Sequence, residues 1–309
     1  MGMSPSQIRV IDPVLTTVAF GYKNRDFIGN ALFPAVPVGA SGGQVITFGK
    51  EAFKLYNTRR APGTVVKRVT FGYLGTSFAL LGNALAGVVP IEYLRDAKQL
   101  PGIDLGTRAL NLAMRCNLLT LEVEQAAIAL NAALYDSSHK VTLSGTSKWS
   151  DPSPASDPVK TIGDYCEAIR ASTGVNPNVF ALSALAFNAL KNNPYITDRF
   201  KHTSAGSITA EMLAALLDIK KIVIGKAIYD DNGTFADIWG NNAVLAYVPE
   251  SPSGAEEPSY GYTYTMQDHP VVEEAYYDQD CRSWIYPVIY ERAPVSSGIT
   301  CGFLIQNPN

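Results

Sequence analysis

Residues 104–135, DLGTRALNLAMRCNLLTLEVEQAAIALNAALY, contain no proline, and their pattern predicts one continuous helix. Leu105, Ala109, Leu112, Cys116, Leu119, Val123, Ala126, Leu130 and Ala133 recur at alternating steps of four and three, which draws a narrow seam along one side. At about 1.5 Å per residue such a rod is roughly 48 Å long. Ordinary globular helices seldom run past about 20 residues. The rest of the chain offers no second helix of that length to form a bundle with it. A lone spar suggests architecture, a member that spans its molecule and connects neighbours.

Composition narrows the function classes. Of 309 residues, 47% are apolar and 17% charged, which fits a folded chain with fewer surface charges than usual. Sixteen tyrosines and 25 glycines alongside so little charge suggest that other protein covers much of the exterior. A net charge of −3 gives no general attraction to nucleic acid. No stretch approaches about 18 consecutive apolar residues, so no membrane span is expected. The start, MGMSPSQIRVIDPVL, lacks the basic-then-apolar form of a secretory signal. Cys116, Cys166, Cys281 and Cys301 are widely spaced, which favours structural thiols while leaving a Cys281–Cys301 bridge open.

Along the chain, residues 1–42 show prolines and isolated apolar anchors (Ile8, Val10, Leu15, Phe20, Phe27, Phe33), the composition of an extended arm laid on another surface. Residues 43–75 read as a two-stranded excursion with a turn at Asn57–Gly63 and a basic cluster of Lys50, Lys54, Arg59, Arg60, Lys67 and Arg68. Residues 136–160 are rich in Ser, Pro and Asp and read as a connection. A compact α/β pattern follows. TIGDYCEAIRASTG is helical with Gly174 as its stop, NVFALS is a strand, and a helix runs from Ser183 to about Lys191. Thr209 caps AEMLAALL, KIVIGKAIY is a buried strand ending in the turn Asp230–Gly233, and AVLAYV is another strand. EEAYYDQDCRSWIYPVIYERAPV and GITCGFLIQ are strands again, with Trp284, Tyr286, Val288 and Tyr290 on one face.

That order resembles the major capsid proteins of tailed bacteriophages, which share the Hong Kong phage-type coat fold. NPNVFALSALAFNALKNNPYITDRFK, SITAEMLAALLDIKKIVIGKAIYDDNG and DIWGNNAVLAYVPE are similar to the apical region of that family, and RSWIYPVIYERAPVSSGITCGFLIQN to its peripheral strand and return. The resemblance implies an α+β fold with an N-arm (1–42), an extended β-hairpin loop (43–75) and a peripheral domain (76–159) that contains the spine helix 104–135. It further implies an apical domain (160–264), peripheral strands (265–295) and a C-terminal strand (296–309) returning to the apical part. The implied role is structural: hexamers and pentamers of an icosahedral head around double-stranded DNA, a virion component assembled in the host cytoplasm. Portal, scaffold and decoration proteins are the implied partners, DNA being contacted without sequence specificity. Relatives often carry a cleaved scaffolding segment before the arm, whereas here the arm begins almost at once. That implies either a separate scaffold protein or a mature-like chain.

No catalytic, cofactor or metal site is expected. His139, His202 and His269 stand apart from metal-ligand spacing. Asp268 and His269 with Ser259 offer a remote hydrolase alternative, but a turn before VVEEAYY is the plainer reading. Asp230–Gly233 faintly echoes a calcium loop without its closing glutamate. Some relatives weld their shells through Lys–Asn bonds, yet nothing in the spacing of Lys50 and Lys54 against Asn241 and Asn242 marks one. The expected contacts between subunits are electrostatic, with Arg59, Arg60, Lys67 and Arg68 of the loop meeting Glu273, Glu274, Asp278 and Asp280 of a neighbour. An encapsulin-like nanocompartment shell is the alternative that keeps the fold and changes the contents.

Overall fold

The computed structural model describes residues 27–44, 55, 58–59, 66, 68, 77–97, 104–153, 156–201, 208–250 and 259–309. Most of the expected arm (1–26) and most of the basic hairpin (45–76) lie outside them. At the root of the hairpin, β2 (Gly42–Gln44) pairs antiparallel with β3 (Ser77–Ala79).

The first of two large sheets is organised by a single strand. β14 (Ser283–Ser296) pairs along one edge with β11 (Gly261–Met266), β12 (Val271–Val272) and β13 (Tyr276–Asp278) in turn. Along its other edge it pairs with β4 (Leu81–Pro90) over ten residue pairs. The arm enters this sheet through β1 (Ala35–Val38), parallel to β11. Alternation puts Tyr286, Val288, Tyr290 and Arg292 of β14 on one face, as the residue pattern predicted. The expected single strand through 273–295 is instead a hairpin, turned between Asp278 and Ser283 with Arg282 at φ 48°.

On that face lies the long helix. Its N-terminus is capped by Asp104, whose carboxylate accepts from the N–H groups of Gly106 and Thr107. After α1 (Gly29–Leu32) and α2 (Ile91–Ala97), it is α3 (Leu105–Ala129), 25 residues. It is therefore about 38 Å long rather than 48 Å. The expected continuation to residue 135 fails because side chains compete for the backbone. Asn131 Oδ1 accepts from the Ala133 N–H, Lys140 Nζ donates to the carbonyls of Ala132 and Tyr135, and the Tyr135 hydroxyl donates to the Ala129 carbonyl.

The buried face of α3 also differs from the expected seam. Gly106, Leu110, Ala113, Met114, Asn117, Leu121, Glu122, Gln125, Ala126 and Ala129 are buried. Of the seam residues only Ala126 belongs to that set, and Leu112 is 63% exposed. Two interleaved apolar rows run along this helix, and the sheet takes the one with Leu110 and Met114, packed on Val272 and Val288. Leu110→Ala is expected to cost roughly 2–5 kcal/mol, whereas Leu112→Ala should fall within about 0.5 kcal/mol. Urea denaturation of both variants checks this, and equal losses would return the seam to the inside.

The second sheet runs β5 (Lys140–Thr142), β15 (Gly302–Gln306), β10 (Asn242–Ala246), β6 (Val179–Ser183) and β7 (Lys221–Gly225). β6 and β7 are parallel and joined through α5 (Ala184–Asn192), α6 (Pro194–Phe200) and α7 (Ala210–Leu217). Thr209 caps α7 as read from the sequence, Ser183, read as the first residue of a helix, caps α5, and α4 (Pro158–Thr173) stops at Gly174 with φ 75°. Part of the expected connection 136–160 is structured: β5 adds to β15, and Trp149 is buried with its carbonyl held by Asn193. The expected strand KIVIGKAIY divides. Its first half is the half-buried edge β7, and its second half is β8 (Ile228–Asp231), which turns into β9 (Thr234–Asp237).

Both faces of this sheet are covered. Phe180, Leu182, Ala243, Leu245, Phe303 and Ile305 face the helices of the α/β unit. Val179, Ala181, Val244, Ala246 and Leu304 face α1 and the end of α3, where Ala126 and Ala129 are buried. α3 thus lies on one sheet with its first half and closes the other with its last turns.

Candidate assembly surfaces

The structure divides the expected acidic strip. Glu273 continues the β12 ladder, its N–H donating to the Pro287 carbonyl, and is half-buried, while Glu274 is exposed. Asp278 and Asp280 gather at the β13–β14 turn, where Asp278 Oδ1 accepts from the Asp280 N–H at 2.9 Å. That bond, with the Cys281 side chain and N–H, holds the Asp278 carboxyl below its ordinary range. Of the basic partners, Arg59 and Arg68 are within the described residues and Arg60 and Lys67 are outside them. Arg59 and Glu273 each have an interaction within the chain.

A second site went unread in the sequence: the root of the arm is bolted to α3. Glu122, 2% exposed, accepts from the main-chain N–H groups of Ile28 (2.9 Å) and Gly29 (2.9 and 3.1 Å) and from Trp239 Nε1 (2.8 Å). A carboxylate at the first turn of α1 satisfies donors that a short helix leaves unmade. Gln125, one turn on, donates to Asn30 Oδ1 and Thr263 Oγ1, and Thr263 in turn donates to the Phe33 carbonyl. A Cβ at position 29 would meet the ends of Gln125 and Glu122 and displace the side chains that hold the arm. Burial pushes the Glu122 carboxyl above its ordinary range against the pull of its donors. The cue in the sequence was the pair Glu122 and Gln125 at i, i+3, visible once the buried row is drawn through Leu121 and Ala126.

A third feature is Arg292, which β14 carries inward under α3. Its Nη1 donates to the Asn117 carbonyl at 2.7 Å, its Nε lies 3.5 Å from Glu124 Oε2, and its guanidinium sits 5.0 Å from the centre of the Tyr290 ring. Burial lowers its pKa while Glu124 raises it, and among the described residues Nη2 has no hydrogen-bond partner.

The chemical alternatives do not assemble. Ser259 and His269 sit at opposite ends of β11, separated by roughly 20 Å of strand. Ser259 Oγ donates to the Gly261 carbonyl, and His269 Nδ1 accepts from the Glu291 N–H. His139 does lie between Asp136 Oδ1 (2.8 Å) and Ser172 Oγ (2.9 Å). Burial alone would raise the Asp136 carboxyl, but hydrogen bonds from His139 and Ser138 outweigh it and hold it low. The other atoms bonded to Ser172 Oγ are the carbonyls of Ile169 and Thr300, the wrong polarity to hold an oxyanion. This trio ties the stretch after α3 to the end of α4.

Asp230 Oδ1 accepts from the Gly233 N–H and closes a hairpin turn. Among the described residues no group of three or more His, Cys, Asp or Glu is placed to hold a metal. The amides of Asn241 and Asn242 donate to the carbonyls of Asn309 and Trp239, and Lys50 and Lys54 lie outside the described residues. All four cysteines are free, so the Cys281–Cys301 bridge is absent. Burial pushes the Cys166 thiol up to about 11, with help from Asp218, and Cys301 to about 12, as suits structural thiols.

A sheet built on one long strand, a helix that crosses it into a separate α/β layer, and an N-terminal stretch that joins the sheet as its edge strand β1 define a shell-subunit fold of the Hong Kong phage type. The putative capsid protein of a prophage of E. coli CFT073 shares that fold at 11% identity, with a TM-score of 0.57 over 96% of this chain and 99% of that one. The chain is 37% identical to the major capsid protein of Burkholderia phage BcepMu over 98% of both sequences. It belongs to the phage major capsid proteins, and its role is structural, as a component of the virion. Residues 135–258 match the family model described as phage major capsid protein E. A phage-related protein of Bordetella bronchiseptica RB50 is 46% identical, and its crystal structure matches with a TM-score of 0.83 over 97% of this chain and 98% of that one. Among the described residues no helix is long and apolar enough to cross a membrane.

Proposed function

We propose that the subunit forms hexamers and pentamers of an icosahedral head that encloses double-stranded DNA, assembled in the host cytoplasm with portal and scaffold proteins and, optionally, a decoration protein. The observation that carries this reading is the end-to-end match to a phage major capsid protein. The subunit acts by burying surface rather than by chemistry, without catalytic residue or cofactor. Its parts are an N-arm (1–42), an extended loop (43–75), peripheral segments (76–159 and 265–295) and apical segments (160–264 and 296–309). The pairing of β5 with β15 supports extending the apical part back toward Tyr135.

Electron microscopy of the purified protein is expected to show closed particles of uniform diameter, and a solitary subunit at high concentration would refute the proposal. Nucleic acid inside the particles favours a head over a nanocompartment, which would hold protein. The inner surface is neutral or acidic, so strong, salt-sensitive DNA binding by isolated subunits would contradict it.

The arm acts as a clamp on neighbours. Its root belongs to the subunit's own core, so the informative truncation ends at residue 26. Removing residues 1–26 is expected to abolish particles while changing the midpoint of thermal unfolding by no more than about 4 °C. Unchanged particle yield, read by sedimentation, would show that the arm is not a clamp.

A further inference from the structure

The part of the apolar row with Leu112 and Cys116 is itself a surface, whereas Leu119, Val123 and Leu130 further along pack against the core. Gly87 of β4 backs directly on the Ala109 main chain, where a Cβ would collide. From that contact α3 and β4 run antiparallel, since α3 follows β14 and β14 opposes β4. Leu112 and Cys116 therefore continue along the same flank as Leu85 and Leu81, which share the Gly87 face of the strand. Leu112, Leu85 and Leu81 are 63%, 43% and 68% exposed, and Cys116 is exposed. Beside them β4 pairs with β14 along one edge and, among the described residues, with nothing along the other.

We propose that this flank, the free edge of β4 with Leu81, Leu85, Leu112 and Cys116, is covered by a second copy of this chain in the assembled shell. The inference rests on the capsid reading and specifies where copies meet. Three properties select the occupant. Residues 77–91 carry no charged side chain, so the strand part of the strip has no grip on phosphate and suits a neutral apolar partner, the exposed Arg108 and Arg115 belonging to the helix. An open strand edge presents main-chain N–H and C=O groups, which another polypeptide satisfies by adding a strand or a loop. The edge also lacks the charges that protect solvent-facing strands from pairing, as expected where pairing is the purpose. Ten residues of strand span about 34 Å. Such a strip serves a subunit that shares its contacts among several neighbours.

Cys116 is a native reporter of this surface. Its reaction with a maleimide, followed by peptide mass spectrometry, is expected to be fast in unassembled subunits and at least about tenfold slower in intact particles. Leu85→Glu with Leu112→Glu is expected to leave the circular dichroism spectrum and unfolding midpoint of the subunit near wild type and to abolish particles. Equal Cys116 labelling in subunits and particles overturns the inference and leaves the capsid reading standing. Slow labelling already in free subunits also overturns it, because the chain would then cover the strip itself. Normal particles from the double glutamate variant do the same, whereas wild-type protein that forms no particles removes the capsid reading and this inference together.

Discussion

Glu122→Ala is expected to destabilise the folded subunit by about 3–5 kcal/mol, because the donors it leaves behind have no access to water. Ile28 N–H, Gly29 N–H and Trp239 Nε1–H all converge on this carboxylate. Each buried donor left unmade costs about 1–3 kcal/mol, offset in part because the carboxylate no longer has to be desolvated. Against a typical total of about 5–15 kcal/mol the loss is severe. Glu122→Gln retains one acceptor oxygen but sets an amide N–H₂ against the Gly29 N–H, and about 1–3 kcal/mol is expected. Urea unfolding measures both, and limited proteolysis should release the chain before Phe33 in the alanine variant first. A loss below about 1 kcal/mol for Glu122→Ala would mean that the arm is rooted elsewhere.

The same carboxylate sets a pH dependence whose sign is opposite to that of most carboxylates. Burial raises its pKa in the fold, so between the ordinary carboxylate value and the raised one the folded state holds more protons than the unfolded chain. Its contribution is fully present below the unfolded pKa and is lost as pH rises through the folded one. Glu122→Gln removes that component, and a difference between the two stability–pH curves confined to this window is the expected signature.

Reversing Arg59 and Arg60 to glutamate is expected to abolish particles while leaving a folded subunit. The contact expected from the sequence sets these side chains against Glu273, Glu274, Asp278 and Asp280 of a neighbour, of which Glu274 and Asp280 are exposed. Isolated surface ion pairs contribute at most about 1 kcal/mol, but like charges forced together cost several kcal/mol. That penalty recurs at every equivalent contact of a closed shell, so a modest local repulsion becomes an assembly block. Combining the reversal with Glu274→Lys and Asp280→Lys should restore particles. Normal particles from the arginine reversal alone, seen by electron microscopy, would dispose of the contact.

Local signals with one physical cause were legible in the residues. Asp104, Ser183 and Thr209 before apolar periodic runs gave helix starts, Gly174 gave a stop, and the alternation of Trp284 to Tyr290 gave the face of β14. Quantities decided by partners distant in sequence were not legible. α3 carries two apolar rows about 100° apart, and only the presence of Val272 and Val288 selects the one with Leu110. The helix ends at Ala129 because Tyr135 returns to the Ala129 carbonyl and Lys140 holds those of Ala132 and Tyr135 just beyond it, a fact of tertiary structure invisible to periodicity. Glu122 gave no signal of its own because its donors lie more than 90 residues before it and more than 110 after it. The acidic strip read as one run because strand and turn residues cannot be separated at Asp278 by composition alone.

The parallel pairing of β1 with β11 bears on the mechanics of a capsid subunit. A tug on the arm along its own axis stretches the four-residue ladder in shear, so its bonds resist together instead of opening one after another like a zipper. Ahead of that ladder, tension first meets Glu122 at Ile28 and Gly29 and enters the stiffest element of the subunit. Strain from one neighbour would thus pass down a rod into both sheets, spreading a local tug over the whole tile.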